Sequence, residues 1–107
     1  MKFYPTLTET LAKRFEPGTD DGMSEIRDVS EYGMSSGFSG FIYYHEINEF
    51  FNEFESEIED MMEDLYGDNW LAEMSSQSCD MQDLRCKLVW SVVELWCHNA
   101  VDLVEAA

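Results

Sequence analysis

Residues 80–105 read as a helix with almost no side left for water, and that segment dictates most of what the chain can become. Leu84, Leu88, Val89, Trp90, Val92, Val93, Leu95, Trp96, Val101, Leu103 and Val104 surround its axis. Its polar residues, Asp83, Lys87, Ser91, Glu94, His98, Asp102 and Glu105, fall on one narrow strip at helical spacing. A helix apolar on most sides either forms the centre of a core or pairs one face with another chain. A length of 107 residues leaves room for one core and little more. The expected fold is therefore mainly α: a small single-domain helical bundle over 1–107, built around a buried C-terminal helix.

The remaining segments supply the helices that such a bundle needs. Leu7, Leu11 and Phe15 repeat at helical intervals after Pro5, and Thr6 with Glu9 has the spacing of a capping box. Pro17-Gly18 ends that helix, and Thr19-Asp20-Asp21-Gly22 reads as a turn. A second helix is expected from about Ser24 to Tyr32, stopped by Gly33. A third runs from His45 to Tyr66: Ile47, Phe50, Phe51, Phe54, Ile58, Met61, Met62 and Leu65 fall within about 120° of arc, and Gly67 follows as a stop. A short helical turn through Trp70, Leu71 and Met74 precedes the polar break at 75–78. Between the second and third helices, Gly37 and Gly40 bracket Phe38, and Phe41 to Tyr44 is an unbroken apolar and aromatic run. Residues 37–44 are expected to form a loop that plugs the core, with a short strand as the alternative and an exposed aromatic anchor as the third reading.

Charge is the second constraint. Twenty-three acidic residues stand against six basic ones, for a net charge of −17. No Lys or Arg lies between Arg27 and Arg85, a stretch holding fifteen acids. Nine of these lie in the third helix. Glu46, Glu49, Glu53, Glu57, Asp60 and Asp64 recur at i+3 and i+4 and form one ribbon; Glu55, Glu59 and Glu63 form a second on the other side of the apolar stripe. Like charges at i,i+4 each cost a few tenths of a kcal/mol. The six-residue ribbon spans about 27 Å, a length over which duplex DNA carries roughly sixteen phosphate charges on all its faces. Carboxylates at that density imitate one face of a nucleic-acid backbone, and a groove built to hold phosphate would accept them. The bland alternative is a solvated face, or the acidity of a halophile. Halophilic acid is spread along a chain poor in large aromatics, whereas here it is concentrated and aromatics make up 14%.

The same charge argues against direct nucleic-acid binding and against an anionic membrane surface. No apolar run approaches the roughly 20 residues that span a bilayer, and Met1 to Pro5 lack the apolar stretch of a secretory signal. The expected location is the cytoplasm. Cys79, Cys86 and Cys97 are odd in number and match neither a zinc knuckle nor a CxxC pair, so they read as small hydrophobes near one apolar segment. His45 with Glu49, and Glu94, His98 and Asp102, sit at i,i+4, but three ligands stacked over two turns do not converge on one ion. No metal, cofactor or catalytic residue is expected. There is no phosphate-binding loop, dinucleotide fingerprint or nucleophile elbow, and carboxylate-only catalysis needs a cleft that a domain this small hardly provides. The chain does not read as an enzyme.

Residues 33–103, through Gly37-Phe-Ser-Gly-Phe-Ile-Tyr-Tyr44, Phe50-Phe51 and Leu88-Val-Trp-Ser-Val-Val-Glu-Leu95, resemble an uncharacterised family of small phage and mobile-element proteins. At the level of size and charge the chain is also similar to phage anti-restriction DNA mimics and acidic anti-CRISPR proteins. That likeness implies an inhibitor seated on the DNA-binding surface of a host nuclease complex. The expected partner is accordingly a basic nucleic-acid-binding protein, or a CRISPR or restriction complex in the host cytoplasm, contacted through the nine carboxylates of the third helix. Two alternatives are a helical homodimer acting as a structural or regulatory protein, with Trp90, Trp96 and the nearby valines as interface, and an antitoxin-like partner of a basic toxin.

Overall fold

The computed structural model describes residues 5–33 and 43–106, and these form five α-helices with no strand among them. In chain order they are α1 (Pro5–Phe15), α2 (Asp20–Tyr32), α3 (Tyr44–Tyr66), α4 (Trp70–Ser76) and α5 (Met81–Ala106). α5 touches each of the other four, with α2 and α3 as its principal neighbours. The all-round apolar segment is thus enclosed by the chain itself. Leu84, Cys86, Leu88, Val89, Val92, Val93, Trp96 and Cys97 of α5 are buried, together with Leu7, Leu11 and Phe15 of α1, Ile26 and Val29 of α2, and the apolar stripe of α3. This is a small all-α bundle around its last long helix, as the pattern requires.

Enclosure stops short of the end of α5. Leu103 and Val104 are 65% and 48% exposed, so the last turn extends past the core, while Ala100 and Val101 still pack against it. Of the residues assigned to a homodimer interface, Trp96, Val89, Val92 and Val93 are buried inside the chain and out of reach of a second copy, while Trp90 is half-buried. Trp96 stacks on Phe15, with ring centroids 5.4 Å apart, and this contact ties α1 to α5.

Local chemistry explains the helix ends, with corrections at two of them. α1 begins at Pro5, whose fixed φ suits the first helical position, so Thr6 lies inside the helix instead of capping it; its carbonyl accepts from the Thr10 hydroxyl at 3.0 Å. α2 begins at Asp20, not Ser24. Thr19 is its N-cap and accepts from Gly22 N–H at 3.0 Å, while Asp20 and Asp21 favour the positive end of the helix. The stretch that reads as a turn is a capped first helical turn. Gly22 belongs there because a Cβ would stand 2.1 Å from the Glu16 carbonyl and 2.2 Å from that of Phe15. Gly33 and Gly67, at φ 81° and 82°, close α2 and α3 by donating to Val29 and Glu63 carbonyls. At the start of α5, Asp80 accepts from Asp83 N–H at 2.8 Å and the Asp83 carboxylate accepts from Cys79 N–H at 3.0 Å. That amide, with Lys87 beside it, holds the Asp83 carboxyl below its ordinary value.

α3 is not straight. Phe54, at φ −117° and ψ 24°, leaves helical geometry and divides it into two segments. α3 contains neither proline nor glycine, so neither of those breakers produces the bend. Both segments keep their apolar residues inward: Ile47, Phe50 and Phe54 before the bend, Ile58, Met61 and Met62 after it. Phe50 and Phe54 rings meet at 4.9 Å. The first segment is further fixed to α5 by a reciprocal amide pair. Asn48 donates to Gln82 at 3.0 Å and Gln82 donates back at 3.1 Å.

Residues 34–42 of the glycine-aromatic motif lie outside the described residues, and with them the choice between loop and strand over 37–42. Tyr43 and Tyr44 are described, and they are neither strand nor core. They occupy the N-cap and first position of α3 and are 57% and 64% exposed, beyond the reach of the bundle's interior.

Candidate acidic interface on the third helix

The apolar stripe of α3 faces α5, which turns the opposite side of the helix outward. Glu49, Glu53, Asp60 and Asp64 of the first ribbon are exposed, as are Glu55, Glu59 and Glu63 of the second; Glu46 and Glu57 are half-buried. The nine carboxylates therefore lie where their spacing places them, with two qualifications to the picture of one straight, unneutralised rail. Arg14 of α1 pairs with Glu46 and neutralises the first member of the ribbon. The bend at Phe54 falls between Glu53 and Glu57, so the first ribbon has two straight parts, while Glu55, Glu59 and Glu63 all lie after it. Among the described residues no Lys or Arg is within ion-pair distance of Glu49, Glu53, Glu57, Asp64, Glu55, Glu59 or Glu63.

Three cations elsewhere are occupied close to home. Lys87 binds Asp83 at 3.0 Å and donates to the Gln77 carbonyl, Arg27 meets Glu105 at 3.4 Å, and the Arg85 guanidinium lies 5.7 Å from the centre of the Phe51 ring. The negative field of the α3 surface is thus left largely uncompensated. Toward the C-terminal end of α3, Asp60, Glu63 and Asp64 join Asp68 around a shallow acidic concavity. Asp68 follows the stop at Gly67 and so falls outside the periodicity that identifies the ribbons.

Other sequence candidates resolve into structural contacts. His98 Nδ1 and the Ser30 hydroxyl are 2.7 Å apart, linking α5 to α2. His45 stacks against Tyr43, with centroids 5.8 Å apart. Among the described residues no three His, Cys, Asp or Glu side chains are grouped to hold a metal ion. Cys86 and Cys97 are buried free thiols; burial, with the Glu94 charge adding to it, pushes Cys97 up to about 12. Cys79 departs from the expected hydrophobic role and is exposed, because it precedes the first turn of α5. No described helix is long and apolar enough to cross a membrane.

One feature escapes a reading of single helices. Tyr66, Trp70 and Met74, four residues apart across the Gly67 break, face Lys87, Trp90, Ser91 and Glu94 of α5 across a groove of about 380 Å³. Part of the polar strip of α5 thus lines a cleft instead of facing open water. The signal was present as two rows at spacings of three and four, but nothing in the sequence pairs the rows. The Trp90 indole N–H is buried and finds no acceptor among the described residues.

No curated protein and no solved structure matches this chain. Residues 6–106 match the family described as a domain of unknown function, DUF7222, and the chain belongs to that family.

Proposed function

We propose that this protein is a phage-type anti-defence inhibitor, acting on a CRISPR or restriction complex of the host by occupying its nucleic-acid-binding surface. The observation that carries the reading is the outward face of α3, where seven of the nine ribbon carboxylates are exposed and no Lys or Arg among the described residues is within ion-pair distance of Glu49, Glu53, Glu55, Glu57, Glu59, Glu63 or Asp64. A cleft lined with Lys and Arg recognises fixed anionic charge at phosphate-like density and releases its counterions to it as it does to DNA. Association through such a surface is fast and weakens steeply with salt. The protein needs no catalytic group for this; blocking the surface suffices.

The test is to replace Glu49, Glu53 and Glu57 together with Gln and to compare the variant with the wild type against a panel of restriction enzymes and CRISPR effector complexes. Circular dichroism verifies that the helices persist. Wild-type protein is expected to displace DNA from at least one complex, with displacement fading as salt rises, and the triple variant to lose most of that effect. Displacement that survives the triple substitution and is insensitive to salt would remove the assignment. A second triple, Glu55, Glu59 and Glu63 to Gln, separates the contributions of the two ribbons.

A further inference from the structure

We infer that the groove between α4 and α5 receives an arginine side chain of the basic partner. Its lining is largely aromatic: Tyr66 at the end of α3, Trp70 of α4 and Trp90 of α5, together with Met74 of α4. Carboxylates of Glu73 and Glu94 also line it. Its lysine adds little repulsion, because the Lys87 ammonium is held by Asp83 at 3.0 Å and by the Gln77 carbonyl. The space of about 380 Å³ lies at the small end of ligand pockets and has room for a guanidinium and its stem.

Charge and shape together select this occupant. A net charge of −17 and two lining carboxylates disfavour an anion and draw a cation. Indole and phenol faces attract a cation through their quadrupole, and a planar guanidinium stacks on them while giving up less hydration than an ammonium. The groove and the acidic surface are neighbours along the chain: Tyr66 ends α3 two residues after Asp64, and Asp68 stands between Tyr66 and Trp70. The ribbons would steer a basic surface by long-range attraction, and the groove would fix its register by accepting one side chain. This inference rests on the proposed function for the identity of the partner as a basic protein, but its test does not require that partner.

The chain contains three tryptophans, hence three indole N–H signals in a proton–nitrogen correlation spectrum, each assignable by a Trp→Phe variant. Trp96, buried against Phe15, is the internal control. The probes are N-acetyl-arginine methylamide, the matching lysine compound and the citrulline compound, which keeps the shape of arginine without its charge. Titration with the arginine compound is expected to move the Trp70 and Trp90 signals with a Kd on the order of a few millimolar, leaving Trp96 in place. Lysine should bind at least about threefold more weakly, and citrulline should produce no saturable shift. Glu73→Gln, which preserves size, should weaken the arginine response severalfold. The inference is overturned if Trp70 and Trp90 do not respond to arginine, if citrulline matches it, or if all three indoles shift together. Glu49, Glu53 and Glu57 changed to Gln should leave the arginine response intact, so the groove and the ribbons can fail separately.

Discussion

α3 and α5 are the two longest helices, at 23 and 26 residues, and they use their surfaces in opposite ways. α5 turns most of its circumference to other helices and hides eight residues completely or nearly so. α3 gives the core only its apolar stripe and leaves carboxylates along the rest. What one helix contributes to cohesion, the other leaves available for charge. A molecule arranged this way separates folding from surface chemistry: changes to the buried residues of α5 should fall on stability, and changes on the back of α3 should spare it.

The strongest challenge to that separation is Trp96→Ala. It removes a buried indole and its stack on Phe15, and is expected to cost about 3–5 kcal/mol in urea denaturation. A cost below about 1 kcal/mol would show that α1 is not held through this contact. Next comes the alkaline limb of stability. Folding keeps the Cys97 thiol neutral up to about 12, against an ordinary value of 9.0, so only the unfolded chain ionises in between. Stability is expected to fall as pH rises from 9.0 toward 12, and urea midpoints of Cys97→Ala should fall less steeply over that window. The smallest effect belongs to the other helix. Changing Glu49, Glu53 and Glu57 to Gln should leave stability unchanged, or raise it by about 0.2–0.5 kcal/mol for each like-charge pair relieved. A loss of stability in that triple variant would show that the acids are part of the fold and would collapse the contrast.

Much of this contrast is legible along the chain because it depends on periodicity. An all-round apolar helix must be enclosed, and an apolar stripe of about 120° must face inward, so the burial of α5 and the outward acids of α3 follow from spacing alone. Gly33 and Gly67 mark the helix ends for the same local reason, their positive φ. What remained hidden depends on contacts between distant residues. Asp20 to Gly22 have turn composition, but a Thr19 cap and the close approach of Gly22 to α1 make them helical. Arg14 reaches Glu46 across 32 residues. The bend at Phe54 has no residue to announce it, and the groove arises only when the row at Tyr66, Trp70 and Met74 is set opposite that at Lys87 and Trp90.

The departure of Phe54 from helical geometry also constrains whatever lands on α3. Two short planks meeting at an angle cannot both lie flush on a level floor. A cationic surface that is rigid and planar would engage one plank and stand off from the other. Full engagement demands a recipient that is bent to the same angle or hinged to follow it.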